Sequence, residues 1–266
     1  MSFSISGKVA IVTGAANGVG LAIARHFIDA GALVMFADMD DERLSKEVEG
    51  LGDNARHFAG DLRQKLTIAN LLSATLDSFE RVDILINASR QMVASDPLNP
   101  DDDAIEMLLE QNLMTSLRLS QLVAKRMIKQ ADDAADDNEP VGAIVNLSSI
   151  AARRTHPALM GYSVSTAALD QMTRSFAVAL APHRIRVNAV AFGSVLSASL
   201  KGALKDNSDY RDDIKEHTPM NRIAKPSEVA EAVQFMACDG AGFVTGQIMT
   251  VDGGRTLLDP VTAPAH

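Results

Sequence analysis

The sequence has 266 residues, 47% of them apolar, 22% charged and 4% aromatic, with no tryptophan and two tyrosines, Tyr162 and Tyr210. These are the totals of a soluble globular protein, and 34 Asp and Glu against 25 Lys and Arg leave a formal charge of −9 that disfavours nucleic acid or an anionic membrane as a partner. No apolar run approaches the roughly 20 residues that span a bilayer, the lone Cys238 has no internal disulfide partner, and the opening MSFSISGKVA lacks the pattern of a secretory signal, so a cytoplasmic protein is expected.

Short runs rich in Val and Ile alternate with stretches of helical period, the pattern of βαβ units around a parallel sheet. In chain order, strands are predicted at 9–12, 33–37, around 57–58, 84–86, 143–147, 187–190 and 248–251, and helices at 19–29, 41–49, 66–79, 103–129, 163–181 and 227–236. This predicts an α/β fold: a single doubly wound, Rossmann-type domain over 1–266, with a seven-stranded parallel sheet and helices on both faces. Asp132, Asp133, Asp136, Asp137 and Glu139 form an acidic stretch expected to be a solvated loop. Segment 194–219 is weakly periodic and polar, and is read as a flap over a site.

Directly after the first predicted strand comes Thr13-Gly14-Ala15-Ala16-Asn17-Gly18-Val19-Gly20, followed by an apolar-periodic helix. Glycines there let the backbone approach a pyrophosphate, and the helix amino terminus offers free N–H groups and partial positive charge. Gly14, Asn17, Gly18, Val19 and Gly20 are therefore candidate cofactor contacts. Asp38 ends the second strand 24 positions after Gly14, where dinucleotide folds place an acid on the adenosine ribose. A carboxylate would repel a 2′-phosphate, which favours NAD over NADP. The alternative is a helix cap, a role that Asp38, Asp40 or Asp41 could fill.

With that loop in place, further motifs make the chain resemble the classical short-chain dehydrogenase/reductase family over almost its whole length. Ile144-Val145-Asn146-Leu147-Ser148-Ser149 is similar to the strand leading to the family's active-site serine, and Tyr162 follows Ser149 by the usual 13 positions. Asn112 matches the helix asparagine that supports a proton-relay water, and Asp61-Leu62 the adenine-contact pair. Ile185 to Val190, Gly246-Gln247 and Val251-Asp252-Gly253-Gly254 match the last two strands and their exits. The resemblance implies an NAD-dependent oxidoreductase acting on a carbonyl or alcohol of a small-molecule substrate, with Ser149, Tyr162 and Asn112 catalytic. It also implies that Asn87, Ala88, Tyr162 and the residue at 166 contact the cofactor. A homotetramer or homodimer, paired through the helices at 103–129 and 163–181, is implied as well.

The chain departs from the family at the nicotinamide side. The family's lysine, four residues after the tyrosine, is here Thr166, and no lysine occurs between Lys129 and Lys201. A free phenol has a pKa of about 10, and bringing it near neutrality takes about 4 kcal/mol of differential stabilisation, for which a nearby cation is the obvious source. The family's Asn-Asn-Ala-Gly reads Asn87-Ala88-Ser89-Arg90, its Pro-Gly reads Phe192-Gly193, and its contacting threonine corresponds to Ser197. Arg90 either reaches toward Tyr162 to supply the missing charge or fills the pocket and blocks the cofactor. Arg153 and Arg154 either attract an anionic substrate or form a solvent-facing basic loop, and His156 before Pro157 belongs to an extended turn with no companion ligands, so no metal is expected. Three readings stay open: a working NAD-dependent dehydrogenase, a dinucleotide-binding sensor or partner subunit with lost or weak hydride transfer, and another reaction such as elimination or epimerisation on the same scaffold.

Overall fold

The computed structural model describes residues 2–102, 104–132, 140–207 and 209–259. Strands β1 (Val9–Thr13), β2 (Leu33–Asp38), β3 (Ala55–Ala59), β4 (Ile84–Asn87), β5 (Gly142–Ser149), β6 (Ile185–Phe192) and β7 (Ile248–Val251) form one sheet in the order β3-β2-β1-β4-β5-β6-β7. Every pairing is parallel. The central strands are apolar on both faces because helices cover both. On one face α1 (Gly18–Asp29) and α9 (Pro226–Ala237) bury Ile23, Phe27, Val229 and Val233. On the other, α3 (Lys65–Phe79), α5 (Thr115–Asp132) and α6 (Met160–Leu180) bury Leu71, Leu119, Val123 and Leu180. Strand order reverses between β1 and β4, and in such sheets the crevice beyond that point is where ligands bind.

Three regions differ from the sequence-based expectation. The single helix predicted over 103–129 is α4 (Ala104–Leu108), a π-helical turn (Leu109–Met114) and α5. The π turn closes where both the amide and the hydroxyl of Thr115 donate to the Glu110 carbonyl five residues back, and such turns insert one residue into the helical phase. The expected flap over 194–219 carries two short helices, α7 (Ala198–Asp206) and α8 (Tyr210–Glu216), and its root is anchored by a bridge between Val195 and Ala224. The helix after His156 begins earlier than expected, because Pro157 starts a 3-10 turn (Pro157–Leu159) that runs into α6.

His156 itself is extended, as its place before proline predicts, and its Nδ1 accepts the Ala158 amide at 3.2 Å. Helix α2 (Asp41–Val48) is capped by Asp40, whose carboxylate accepts the Arg43 amide at 3.1 Å, so Asp38 is left for another role. Of the acidic stretch, Asp133, Asp136, Asp137 and Glu139 lie outside the described residues, as does Asp103 at the start of the predicted long helix. No helix among the described residues is long and apolar enough to cross a membrane.

Candidate active site

The glycine loop is built by close backbone approach. A Cβ on Gly20 would stand 2.1 Å from the Gly14 carbonyl oxygen, and one on Gly14 would stand 2.8 Å from that of Ala88. Thr13 locks the loop against the end of β4: its hydroxyl donates to the Ile86 carbonyl at 3.3 Å and accepts the Ala88 and Ser89 amides at 2.9 and 3.0 Å. Asn17 precedes α1 in extended conformation and makes no side-chain cap, and the half-buried Gly18 and Val19 open the helix whose first amides have no intrahelical acceptor. Ser197, at the root of the flap, faces this loop, its Cβ 3.9 Å from where a Gly18 Cβ would be.

Asp38 sits at the loop's outer side. One carboxylate oxygen accepts the Ala16 amide at 3.1 Å and the other accepts the Met39 and Asp40 amides at 2.7 and 3.3 Å. A glycine-built loop with close backbone approach, free helix amides and a carboxylate at the end of β2 together fit the pyrophosphate and adenosine ribose of a dinucleotide. Leu62 is buried. Asp61 beside it is gripped by Arg63, whose Nε and Nη2 donate at 2.9 and 2.8 Å, and this hydrogen-bonded guanidinium holds the Asp61 carboxyl below its ordinary range.

Asn87 does not open onto this cleft. It is buried and its amide donates to Ser120 Oγ at 3.0 Å and Asn146 Oδ1 at 2.8 Å; Asn146 donates in turn to Thr173 Oγ1 at 2.8 Å. That chain braces β4, β5 and α6 from beneath. Ala88 meets the cleft through its backbone, which touches the Gly14 position.

The reacting side chains expected from the sequence converge at the carboxyl ends of β4, β5 and β6. Ser149 ends β5 directly opposite Phe192 in the register with β6, and its oxygen accepts the Ala151 amide at 3.2 Å. Tyr162 lies in the first turn of α6 and is 3% exposed. No direct hydrogen bond joins the two hydroxyls. Instead Arg90 Nη1 donates to the Tyr162 hydroxyl oxygen at 2.5 Å and to the Ser148 carbonyl at 3.4 Å. The guanidinium carbon lies 4.0 Å from the centroid of the Phe192 ring, a cation–π contact.

Thr166 follows one turn along on the same face, buried, with its hydroxyl turned back to the Tyr162 and Ser163 carbonyls at 2.9 and 3.1 Å. Asn112, in the π turn, spends its side chain on structure: Oδ1 accepts the Gln91 amide at 2.8 Å, while Nδ2 donates to the Gln91 carbonyl and to Ser165 Oγ, both at 3.0 Å. This clamps the residue next to Arg90. Ser95 does the same further on, its amide donating to the Ala158 carbonyl at 2.9 Å and its hydroxyl accepting the Gly161 amide at 3.2 Å. Neither Gln91 nor Ser95 carries a sequence signal, since each acts on a partner distant in the chain.

Arg153 and Arg154 are exposed and bonded to the C-terminal region, Arg153 to Thr250 Oγ1 at 3.0 Å and Arg154 to the Thr256 carbonyl. They tie the turn after Ser149 to β7 and to the segment that follows it. Among the described residues, no group of three or more His, Cys, Asp or Glu side chains could hold a metal ion.

Known proteins share this sequence pattern and fold. A sequence profile for the family described as enoyl-(acyl carrier protein) reductase matches residues 14–256. An uncharacterized oxidoreductase of Thermotoga maritima is 34% identical over 96% of this chain and 100% of its own length. The 7alpha-hydroxysteroid dehydrogenase of Escherichia coli is 30% identical over 94% of each chain. A solved structure of a 7alpha-hydroxysteroid dehydrogenase complexed with NADH and 7-oxo glycochenodeoxycholic acid superposes with a TM-score of 0.87 at 29% identity, covering 95% of this chain and 96% of that one.

Proposed function

The chain belongs to the short-chain dehydrogenase/reductase family of oxidoreductases, and from that premise we propose that it is an NAD-dependent dehydrogenase or reductase of a carbonyl or alcohol substrate. The observation that carries this reading is the Arg90 guanidinium at 2.5 Å from the Tyr162 hydroxyl. The bound dinucleotide supplies or accepts the hydride. Tyr162 holds the proton at its phenolic oxygen, and a permanent cation on that oxygen favours the negative charge it carries whenever the proton is with the substrate. Ser149, at the end of β5, orients the substrate oxygen. Thr166 stands where the family's lysine would, with its hydroxyl engaged by the helix backbone, so the charge comes from Arg90.

Asp38 supports NAD over NADP, because a 2′-phosphate would meet a carboxylate already held in place by three backbone amides. The same reading takes 1–266 as a single domain with 194–219 as its substrate flap, and the chain as a cytoplasmic homotetramer or homodimer.

A charge-assisted hydrogen bond to the reacting oxygen is worth about 1.5–3 kcal/mol, or about ten- to 150-fold in rate. Arg90→Ala is therefore expected to lower hydride transfer by that factor while NADH fluorescence titration still shows binding. A second reading rests on the stacking of Arg90 on Phe192, which fills space beside Tyr162 and suits a protein that binds the dinucleotide without hydride transfer. Under that reading Arg90→Ala tightens NADH binding, and the wild type is inactive across a broad carbonyl panel.

A further inference from the structure

Arg90 is held at its tip by Nη1, which donates to the Tyr162 hydroxyl and the Ser148 carbonyl, and by the Phe192 ring, whose centroid is 4.0 Å from the guanidinium carbon. It forms no ion pair with a carboxylate of the described residues. A long side chain kept at one oxygen by so few contacts gives up rotamer freedom to stay there. How often its tip sits on the phenol therefore depends on how firmly its backbone is placed.

Both neighbours of Arg90 are gripped by consecutive residues of the π turn. Asn112 takes Gln91 by its amide and its carbonyl. Gln111, one residue earlier, donates from Nε2 to the Ser89 hydroxyl at 3.1 Å. The Ser89 amide is bonded in addition to Thr13 Oγ1 at 3.0 Å, and the Ser89 Cα lies 3.0 Å from where a Gly14 Cβ would stand. Arg90 thus sits between two fixed residues. Ser89 and Arg90 stand where the family's Asn-Asn-Ala-Gly has alanine and glycine, so the hydroxyl that Gln111 holds is adjacent to the cation. An alanine at 89 would offer Gln111 no side-chain partner.

We propose that the Gln111–Ser89 hydrogen bond is a latch that keeps the Arg90 guanidinium on the Tyr162 oxygen, which makes Gln111 and Ser89 positioning residues for proton transfer. This rests on the oxidoreductase reading above. Gln111 and Ser89 are bonded to each other while Arg90 is bonded to Tyr162, so the latch acts on the phenol through Arg90. With the latch broken, the segment that carries Arg90 loses one of the contacts that place it, and the guanidinium leaves the phenol more often. The negative charge on that oxygen is then less favoured once its proton has passed to the substrate.

Two tyrosines and no tryptophan make the test direct. Tyr210 is exposed on α8, and Tyr210→Phe leaves Tyr162 as the single tyrosine. Produced with meta-fluorotyrosine, whose phenol is more acidic than that of tyrosine, this parent protein gives one fluorine resonance that follows ionisation at residue 162 in mildly alkaline buffer. Arg90→Ala is expected to raise the titration midpoint by about one to two pH units. Gln111→Met, which keeps the side-chain length without the donor, and Ser89→Ala should each raise it by about half a pH unit, or about threefold in proton affinity. The two latch changes together should move it no further than either alone, and Gln111→Met added to Arg90→Ala should not move it. Circular dichroism checks that each variant is folded, and Ser89→Ala carries the test if Gln111→Met is not. A midpoint left unmoved by a folded Gln111→Met or Ser89→Ala overturns the proposal, and so does a Gln111→Met shift that persists in full without Arg90. Hydride transfer from NADH to a broad carbonyl panel is measured on the same parent protein. Transfer with unmoved midpoints sinks the latch and leaves the oxidoreductase reading standing, whereas moved midpoints in a parent that reduces nothing sink that reading and leave the latch on Arg90.

Discussion

Replacing Gly20 by alanine tests whether the loop before α1 is held by backbone contact. The added methyl would lie 2.1 Å from the Gly14 carbonyl oxygen, 2.7 Å from its carbon and 3.1 Å from the Thr13 oxygen. All three are backbone atoms, so the strain cannot be relieved by turning a side chain, and the loop or the helix must retreat by about 1 Å to reach ordinary contact. Overpacking of this kind costs about 1–3 kcal/mol. The retreat also strains the Thr13 bonds to Ala88 and Ser89 and the Ala16 bond to Asp38, each worth about 1 kcal/mol. The expected loss is therefore about 2–4 kcal/mol of stability. Displacement of the amides facing the pyrophosphate should weaken NADH binding by at least about tenfold, which is 1.4 kcal/mol.

The assay is chemical denaturation paired with NADH fluorescence titration. The control is Gly50→Ala, where φ is +80° and no atom lies within 4 Å of the added carbon. That substitution carries only the left-handed backbone cost of about 1–2 kcal/mol, far from the loop, and should leave NADH affinity unchanged. Unaltered NADH affinity in Gly20→Ala would refute the reasoning, since it would mean that the cofactor does not read the position of this loop.

Two further substitutions probe the carboxylates. Asp38→Asn removes the charge at the loop's outer side and is expected to narrow the NAD-over-NADP preference by about 30-fold, for a like-charge repulsion of about 2 kcal/mol; a Kd ratio unmoved by the change would place the 2′ position elsewhere. Asp170, 4% exposed on α6, has its carboxyl pushed above the ordinary carboxylate range by burial, opposed by the Ser148 hydroxyl and by Arg153 and Arg174. A raised folded-state pKa gives stability that is full below the unfolded value and is lost as pH rises through the folded one. Asp170→Asn should therefore lessen the fall in stability from about pH 4 upward, and melting curves that stay parallel for the two proteins across that range would contradict it.

The doubly wound fold was legible because its strands are buried on both faces and so read as uninterrupted apolar runs. Where the reading fell short, a polar residue was buried against a distant partner. Strand β6 was expected over 187–190 and runs over Ile185–Phe192. Arg186, within it, looks like a surface residue in sequence, yet it donates to the end of α9, and Asn188 donates to the Val244 carbonyl at 2.8 Å. The π turn had no signal either, because it closes on the amide and hydroxyl of one residue, Thr115, both bonded to the Glu110 carbonyl. Helices α7 and α8 are short, and nine and seven residues are too few for a firm periodic pattern. In the site, the lack of a lysine after Tyr162 and the arginine at 90 pointed to one another before any geometry was known. What composition could not tell is that Asn112 is consumed at both ends of its amide by Gln91 and Ser165, or that Asn87 lies beneath the cleft.

The packing of Arg90 on Phe192 and Tyr162 bears on the order in which such a site can be altered. Thr166 neighbours Tyr162 one helical turn away, so a lysine introduced there arrives in a place already served by a guanidinium. Two cations would then compete for one phenol oxygen, each raising the cost of the other. On the proposed reading the two cations are alternatives, so Thr166→Lys is expected to restore hydride transfer in the Arg90→Ala background and to add nothing in the wild type.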